Sequence, residues 1–229
     1  MNPQKTARIV GALFITAMVS GMLRFVLLDP ILDSPDYLII VSANESKVII
    51  GALTFYILAV ALVGIAIVIY PILKKQNEVL ALGYVAARII EGVLFIITIL
   101  VILTLWTISQ EYVKAGAPDD SFFQILGELL LAVRYWAYNV LWPITLSLGG
   151  LMFYYLLYQS NLIPRWLSVW GFIGALLFPV AWLSLFGPTI SGPFLLPLVL
   201  NEMVLALWLI VKGFNPSAIA SLSANTIIK

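Results

Sequence analysis

Cysteine and histidine are both absent from the 229 residues of this chain. Their absence excludes disulfides, thiol nucleophiles, His-ligated haem, typical zinc sites and a Ser-His-Asp triad, so we expect no cofactor and no metal. Charge is scarce as well: 10% of the residues are charged and the formal net charge is +1, which gives no reason to expect a nucleic-acid partner. Hydroxyl, carboxylate, amine and guanidinium groups remain for chemistry.

What the chain has in excess is apolar sequence, which makes up 62% of it. Six apolar runs are long enough to cross a bilayer, because a helix needs roughly 20 residues to span about 30 Å of hydrocarbon. The runs are Ile9–Leu28, Val48–Tyr70, Val79–Ile108, Ala132–Tyr158, Trp166–Phe186 and Phe194–Val211. The first is too long for a signal peptide and has no small-residue cleavage site, so we predict that it is retained. The sequence therefore predicts an all-α, polytopic membrane protein with six transmembrane helices in contact with membrane lipids.

The six runs predict one transmembrane domain at residues 1–214, followed by a polar tail at 215–229 that we expect to have no fold of its own. Basic residues concentrate in one set of short loops and acidic residues in the other. The basic set is Lys5, Arg8, Lys74, Lys75, Arg165 and Lys212, and the acidic set is Asp29, Asp33, Asp36, Glu111, Asp119 and Asp120. Since cytoplasmic loops carry the excess of Lys and Arg, both termini are predicted to be cytoplasmic in a multi-pass protein of the cell membrane.

Three ionisable residues fall in the interior of the predicted spans. Arg88 and Glu91 lie one helical turn apart on the same face of the third span, and Glu202 lies in the sixth. With a rise of 1.5 Å per residue, they lie roughly 13, 18 and 15 Å from the basic side. Each would cost about 2.5 to 3.5 kcal/mol facing lipid, so we expect Arg88 to pair with one or both carboxylates across facing helices. Asn201, Tyr84 and Asn139 could hydrogen-bond the remaining polar atoms.

A second polar layer is predicted near the acidic side. Arg24 in the first span, Glu45 at the head of the second and Arg134 at the head of the fourth lie at or just below that interface, where such side chains can also extend to water. Pro143 cannot donate a backbone hydrogen bond to the carbonyl of Asn139, which leaves an acceptor in the same region. We therefore expect a polar column that opens on the acidic side and ends at Arg88.

Three segments near this column are interpreted from their patterns. Pro30–Val41 is predicted to be a short amphipathic piece, and Ser121–Leu131 a helix that either lies on the surface or extends the fourth span. Aromatic residues follow one another at the basic end of the fourth span, which is more typical of an interfacial belt than of a cofactor site. They are Phe153, Tyr154, Tyr155 and Tyr158.

The buried charges support two interpretations. Ion pairs between helices can simply fix helix packing, or they can line a functional pocket. In a pocket, two carboxylates would oppose one arginine, so a neutral site needs a proton or a bound cation. The leading hypothesis is binding or transport of a small polar or amphipathic molecule, or of an ion. The candidate ligand-binding residues are Arg88, Glu91, Glu202, Asn201, Tyr84, Asn139, Glu45, Arg134 and Arg24.

Two other functions stay open. One is an intramembrane lipid-modifying enzyme, in which paired carboxylates act as general acid and base. The sequence favours a non-enzymatic role, because no convincing nucleophile accompanies those carboxylates. The other is an accessory or scaffold subunit whose outer segments meet a partner. A homo-oligomer is compatible with each of these functions.

Several motifs in order resemble the bacterial and archaeal membrane family catalogued as domain of unknown function 4386. They are Arg8–Phe14, Ala43–Glu45, Ala81–Glu91, Pro164–Gly171 and Asn201–Phe214, so the likeness covers nearly the whole chain. The resemblance implies a six-helix membrane protein in which Arg88, Glu91 and Glu202 belong to the recurring pattern. It brings no established reaction, so the role of these residues has to be argued from their chemistry.

Overall fold

Helices make up the computed structural model, which describes residues 2–118, 122–182 and 192–225, and no strand occurs among them. The α-helices are α1 (Pro3–Leu32), α2 (Tyr37–Ala43), α3 (Glu45–Leu73), α4 (Glu78–Lys114), α5 (Phe122–Arg134), α6 (Trp142–Ser160), α7 (Arg165–Trp182), α8 (Leu196–Val211) and α9 (Pro216–Asn225). A π-helix, Tyr135–Leu141, joins α5 to α6, and a short 3₁₀ helix, Gly192–Leu195, leads into α8. The all-α prediction is confirmed over these residues.

Four helices are long and apolar enough to cross a membrane: α1, α3, α4 and the continuous helix Phe122–Ser160. A fifth is reached if α8 and α9 are counted as one span, although the pair is bent by 84°. Over the described residues, the apolar part of α7 is Arg165–Val180. This helix is too short to be counted as a candidate span. The predicted fifth run extends to Phe186, outside the described residues. The structure therefore supports a membrane protein with four or five candidate spans, against the six that the sequence predicts.

The long helices form a closed ring. Each helix packs against the next in the order α1, α3, α4, α6, α7, α8, and α8 packs back against α1. In this order α4 and α8 are opposite members of the ring, so their inward side chains meet across its interior. Side chains from all six helices join one buried apolar cluster.

Small residues bring neighbouring helices of the ring into close contact. A Cβ atom at Gly174 of α7 would lie 2.8 Å from the backbone nitrogen of Leu198 in α8. A Cβ atom at Gly11 of α1 would lie 2.7 Å from the backbone oxygen of Ala206 in α8. Both positions accept only glycine at the observed spacing, which is the usual role of small residues between membrane helices.

The segment before the fourth apolar run extends that run. α5 continues through the π-helix into α6 as one helix. Of the two interpretations of Ser121–Leu131, the structure therefore supports an extension of the fourth span over the described residues, which begin at Phe122. The Trp142 N–H donates to the carbonyl of Ala137, a wider turn than in an α-helix. Pro143 supplies a reason, since it has no N–H for the carbonyl of Asn139.

Two boundaries differ from the expectations. α1 continues through Pro30 to Leu32, so only Tyr37–Ala43 forms the separate piece predicted at Pro30–Val41. The expectation that the C-terminal segment has no fold is wrong for Pro216–Asn225, which is helical. The Asn215 side chain caps α9 by accepting a hydrogen bond from the Ser217 N–H at 3.2 Å, and the apolar face of α9 is buried through Ala218 and Leu222.

Candidate functional site

The most deeply buried charges lie on one face of α4. The Arg88 side chain is 2% exposed and that of Glu91 is fully buried. Arg88 Nη1 donates to both carboxylate oxygens of Glu91, at 3.2 and 3.3 Å, and Arg88 Nε donates to the Tyr84 hydroxyl at 3.3 Å. Because positions i, i+3 and i+4 of a helix adjoin, the sequence alone places these three groups together.

Glu202 approaches this group from the opposite helix, α8. Its Oε1 lies 4.0 Å from Arg88 Nη2, and its side chain is 22% exposed. Among the described residues no protein group donates a hydrogen bond to the Glu202 carboxylate. Arg88 is therefore shared between a close carboxylate and a distant one, and the three side chains carry one more negative than positive charge. Glu202 is the less compensated of the two carboxylates.

Three further buried oxygens, one each in α6, α7 and α8, have no hydrogen-bond partner in the described protein. They are Tyr154 Oη from α6, Ser168 Oγ from α7 and Asn201 Oδ1 from α8. The amide nitrogen of Asn201 donates to the Leu167 carbonyl at 2.9 Å, which holds the side chain between α7 and α8. An unpaired buried polar group costs about 1–3 kcal/mol, so each of these oxygens is a candidate contact for a bound molecule.

Close packing between α6 and α7 positions Tyr154. The Tyr154 ring lies directly against Gly171, where there is no side chain to displace it, and Gly171 is one turn from Ser168 on α7. The ionisable neighbours of the Tyr154 hydroxyl are Glu202, Arg88 and Tyr84. Tyr154 thus borders the Arg88 group from α6, and its ring contacts α7 one turn from Ser168. We call Arg88, Glu91, Glu202, Tyr84, Tyr154, Ser168 and Asn201 the inner polar site.

Aromatic rings fill the interval between this site and the acidic end of the ring. The indole N–H of Trp142 is directed toward Glu91 without completing a hydrogen bond. The Trp142 ring stacks on Tyr138 with 4.9 Å between centroids and 8° between planes. Tyr138 in turn packs edge-on against Phe55, which contacts Phe95. The predicted continuous polar column is therefore wrong: stacked rings, not polar side chains, connect the two layers.

The outer polar layer is held together by Asp29. Its Oδ1 lies 2.8 Å from Arg24 Nη1 and 3.1 Å from Arg134 Nη2, while Asp33 Oδ1 lies 3.5 Å from Arg134 Nη1. The guanidinium of Arg24 also lies 4.7 Å from the centroid of the Tyr138 ring. The side chains of Arg24 and Arg134 are 4% and 10% exposed, so both are buried rather than extended to water.

The nine predicted residues thus fall into separate places. Arg88, Glu91, Glu202, Tyr84 and Asn201 belong to the inner polar site. Arg24 and Arg134 belong to the outer layer. Asn139 is half-buried in the π-helix and Glu45 is exposed at the start of α3, and over the described residues neither side chain joins the hydrogen bonds of either group.

Sequence reasoning missed Tyr154, Ser168 and Asp29. Tyr154 was assigned to an interfacial belt together with its neighbours, but Phe153 and Tyr154 are 1% and 2% exposed, and only Tyr155 and Tyr158 face outward. Tyr154 and Tyr158 are four residues apart and so lie on the same face of the helix. The sequence therefore does not indicate that one is buried and the other exposed. Asp29 lies in the last turns of α1. Because other acidic residues follow it closely, the sequence pattern indicated a loop position instead.

A protein-family model matches residues 9–213, from α1 to the end of α8. The chain belongs to the family described as Domain of unknown function (DUF4386). Both polar groups lie inside the matched residues, whereas α9 lies beyond them. No curated protein and no solved structure matches the chain. The description of the DUF4386 family names no activity, so a function has to be argued from the inner polar site.

Proposed function

We propose that this DUF4386 protein binds, and passes across the cell membrane, a small polar molecule or ion at the inner polar site. The observation that carries the proposal is the state of Glu202, a largely buried carboxylate with one distant cation and no hydrogen-bond donor. Ionisable groups inside a membrane are expensive and are retained mainly where they do chemistry or binding. A packing role alone would favour pairing each carboxylate closely.

The charge of the site favours a positive occupant. Arg88 balances Glu91 through two hydrogen bonds and leaves Glu202 with the excess negative charge. A monovalent cation, a protonated amine or a proton would neutralise that excess. Arg88 thus acts as the charge-balancing residue and Glu202 as the residue that contacts the ligand, whereas an anionic ligand would add to the negative charge.

The unpaired oxygens supply the remaining contacts. Tyr154 Oη and Ser168 Oγ can each donate or accept one hydrogen bond, and Asn201 Oδ1 accepts. Together with the Glu202 carboxylate they would give an oxygen-only set, which suits a hard cation or an ammonium group. Of the three charged side chains, Glu202 is the one that is appreciably exposed, so we expect the occupant to reach the site beside it.

The proposal includes six spans with both termini in the cytoplasm. Its support is that six helices close the ring, including α7 and α8. The start of α1 and the end of α8 lie at one end, because Gln4 Nε2 donates to the Phe214 carbonyl at 2.7 Å. Lys75 reaches the same end through Ser223 of α9 at 3.2 Å. The excess of basic residues there favours the cytoplasmic side.

The test uses sodium chloride, methylammonium chloride and choline chloride as probes, titrated calorimetrically into the purified protein at pH 6 and pH 8. We expect saturable binding of sodium or methylammonium but not of the bulky choline, weakened at least tenfold in Glu202→Gln. If the occupant is a proton, the unfolding temperature instead changes between the two pH values in the wild type and not in Glu202→Gln. The matched control is Glu111→Gln, since that side chain is 55% exposed and paired with Lys114.

Two outcomes would overturn the proposal. One is the lack of both saturable cation binding and a pH-dependent unfolding temperature in the wild type. The other is binding that survives unchanged in both Glu91→Gln and Glu202→Gln. Either result would leave the buried charges with a packing role, as in the scaffold interpretation.

A further inference from the structure

A pocket opens at the end of the ring where α7 begins and α8 ends, and it shares no residue with the inner polar site. Its volume is about 320 Å³, and Asn161, Pro164, Arg165, Trp208, Lys212 and Asn215 are among its lining residues. Small-ligand pockets range over about 300–1,000 Å³, so this one suits a compact group such as a headgroup. We call it the basic pocket.

The walls of the basic pocket are fixed by hydrogen bonds between loops that are distant in sequence. The Asn215 N–H donates to the Leu162 carbonyl at 2.9 Å, which joins the loop before α7 to the loop after α8. Gln4 holds the second loop from both sides, donating to the Phe214 carbonyl at 2.7 Å and accepting from the Phe214 N–H at 3.2 Å. Gly213, with φ of +71°, makes the turn that this arrangement requires.

Positive charge in the basic pocket is uncompensated. Arg165 Nε donates to the Asn161 side-chain oxygen at 2.8 Å, and its guanidinium lies 5.3 Å from the centroid of the Tyr158 ring. Over the described part of the chain, no carboxylate lies within 4 Å of Arg165 or Lys212, whereas Arg24, Arg88 and Arg134 are all paired. Arg165 is also the first residue of α7, so the positive end of that helix dipole lies at the pocket.

Aromatic side chains place the pocket at the headgroup level of a bilayer. Trp166 and Tyr158 at this end are 54% and 40% exposed, and Trp208 lines the pocket itself. Trp and Tyr concentrate where membrane meets water. Two cations, a helix start and an aromatic rim at that depth match a phosphate carried by a lipid.

We propose that the basic pocket binds the phosphate group of an anionic lipid headgroup. Arg165 and Lys212 contact the phosphate oxygens, with Asn161 holding the guanidinium in place, and Trp208 packs against the apolar part of the headgroup region. Such a lipid would fasten α7 to α8 at the end of the ring. This inference does not depend on what occupies the inner polar site.

The experiment measures lipid binding to the full chain in detergent by native mass spectrometry, with short-chain phosphatidylglycerol, phosphatidylcholine and inorganic phosphate as probes. We expect phosphatidylglycerol to bind in preference to phosphatidylcholine and at least fivefold more weakly to Arg165→Gln/Lys212→Gln. The matched control is Lys5→Gln/Lys74→Gln, which removes two exposed cations outside the pocket and should change binding less than twofold. The single variant Lys212→Gln should give an intermediate loss, and unfolding temperatures without lipid check folding.

Three results would overturn the proposal. Equal binding of phosphatidylglycerol and phosphatidylcholine would remove the preference for negative charge. An equal loss of lipid binding in the control variant would show that the binding depends on the total positive charge at this end of the ring and not on the basic pocket. Displacement of the lipid by inorganic phosphate at comparable concentration would make the ligand a soluble phosphate rather than a headgroup.

Discussion

Arg88 of α4 and Glu202 of α8 face each other from opposite members of the helix ring, with 4.0 Å between Nη2 and Oε1. The nearer partner of Arg88 is Glu91, at 3.2 Å on the same helix. The contact across the ring is therefore the weaker of the two and leaves Glu202 open to another partner. This asymmetry underlies the expected behaviour of variants at the site.

Replacing Arg88 alone should be strongly destabilising. Arg88→Met leaves the fully buried Glu91 without a counter-charge, for which we expect a loss of about 3–5 kcal/mol in the free energy of unfolding. The paired variant Arg88→Met/Glu91→Leu removes the close pair and leaves only the partly exposed Glu202 without a counter-charge, so it should lose less. Equilibrium unfolding in detergent measures the difference, and equal losses in the two variants would show that Glu91 does not depend on Arg88.

The sequence predicted the inner charges well and their surroundings poorly. Helical spacing alone places Arg88 beside Glu91, and equal depth in two apolar runs brings Glu202 to the same level. Tyr154 and Ser168 could not be found in this way. Helices that are apolar all round show no polar face to distinguish interior from lipid, so the direction of a single hydroxyl depends on packing against Gly171.

Other parts of the fold were not predicted from the sequence. Some depend on contacts between residues that are far apart in the chain, and in one segment the composition pointed to a different structure. Asp29 looks like a loop residue, and its partner Arg134 is 105 positions away, so only the fold brings them together. Tyr138 and Trp142 stack over only four positions, but their packing against Phe55 and Phe95 joins residues that are distant in the sequence. The C-terminal helix had a local signal, Asn215 before Pro216, which is typical of a helix start but was outweighed by the polar composition of the tail.

In the outer layer, Asp29 should matter more than Asp33. Asp29→Asn removes the carboxylate shared by two buried guanidinium groups, which are 4% and 10% exposed. We expect a loss of about 3 kcal/mol or more in the free energy of unfolding, because breaking a buried pair leaves uncompensated charge. Asp33→Asn is the control: its side chain is 66% exposed, and such pairs contribute about 0–1 kcal/mol. A larger loss for Asp33→Asn than for Asp29→Asn would contradict this assignment.

Close packing between α7 and α8 should make Gly174 intolerant of a methyl group. In Gly174→Ala the new Cβ would lie 2.8 Å from the Leu198 nitrogen and 2.9 Å from its Cα, and backbone cannot yield as a side chain does. We expect a loss of about 1–3 kcal/mol in the free energy of unfolding. Gly21→Ala, where nothing lies within 4 Å, should be neutral or gain up to about 1 kcal/mol. Similar effects at both positions would mean that α7 and α8 are not in contact there.

The most direct measurement of the central claim is an experimental density map of the wild-type protein and of Glu202→Gln in lipid nanodiscs. We predict ordered non-protein density in contact with Glu202 and at least one of Tyr154, Ser168 and Asn201, and its loss in the variant. The contradicting result is a ring interior filled by apolar side chains, with Arg88, Glu91 and Glu202 neutralised separately at the lipid boundary.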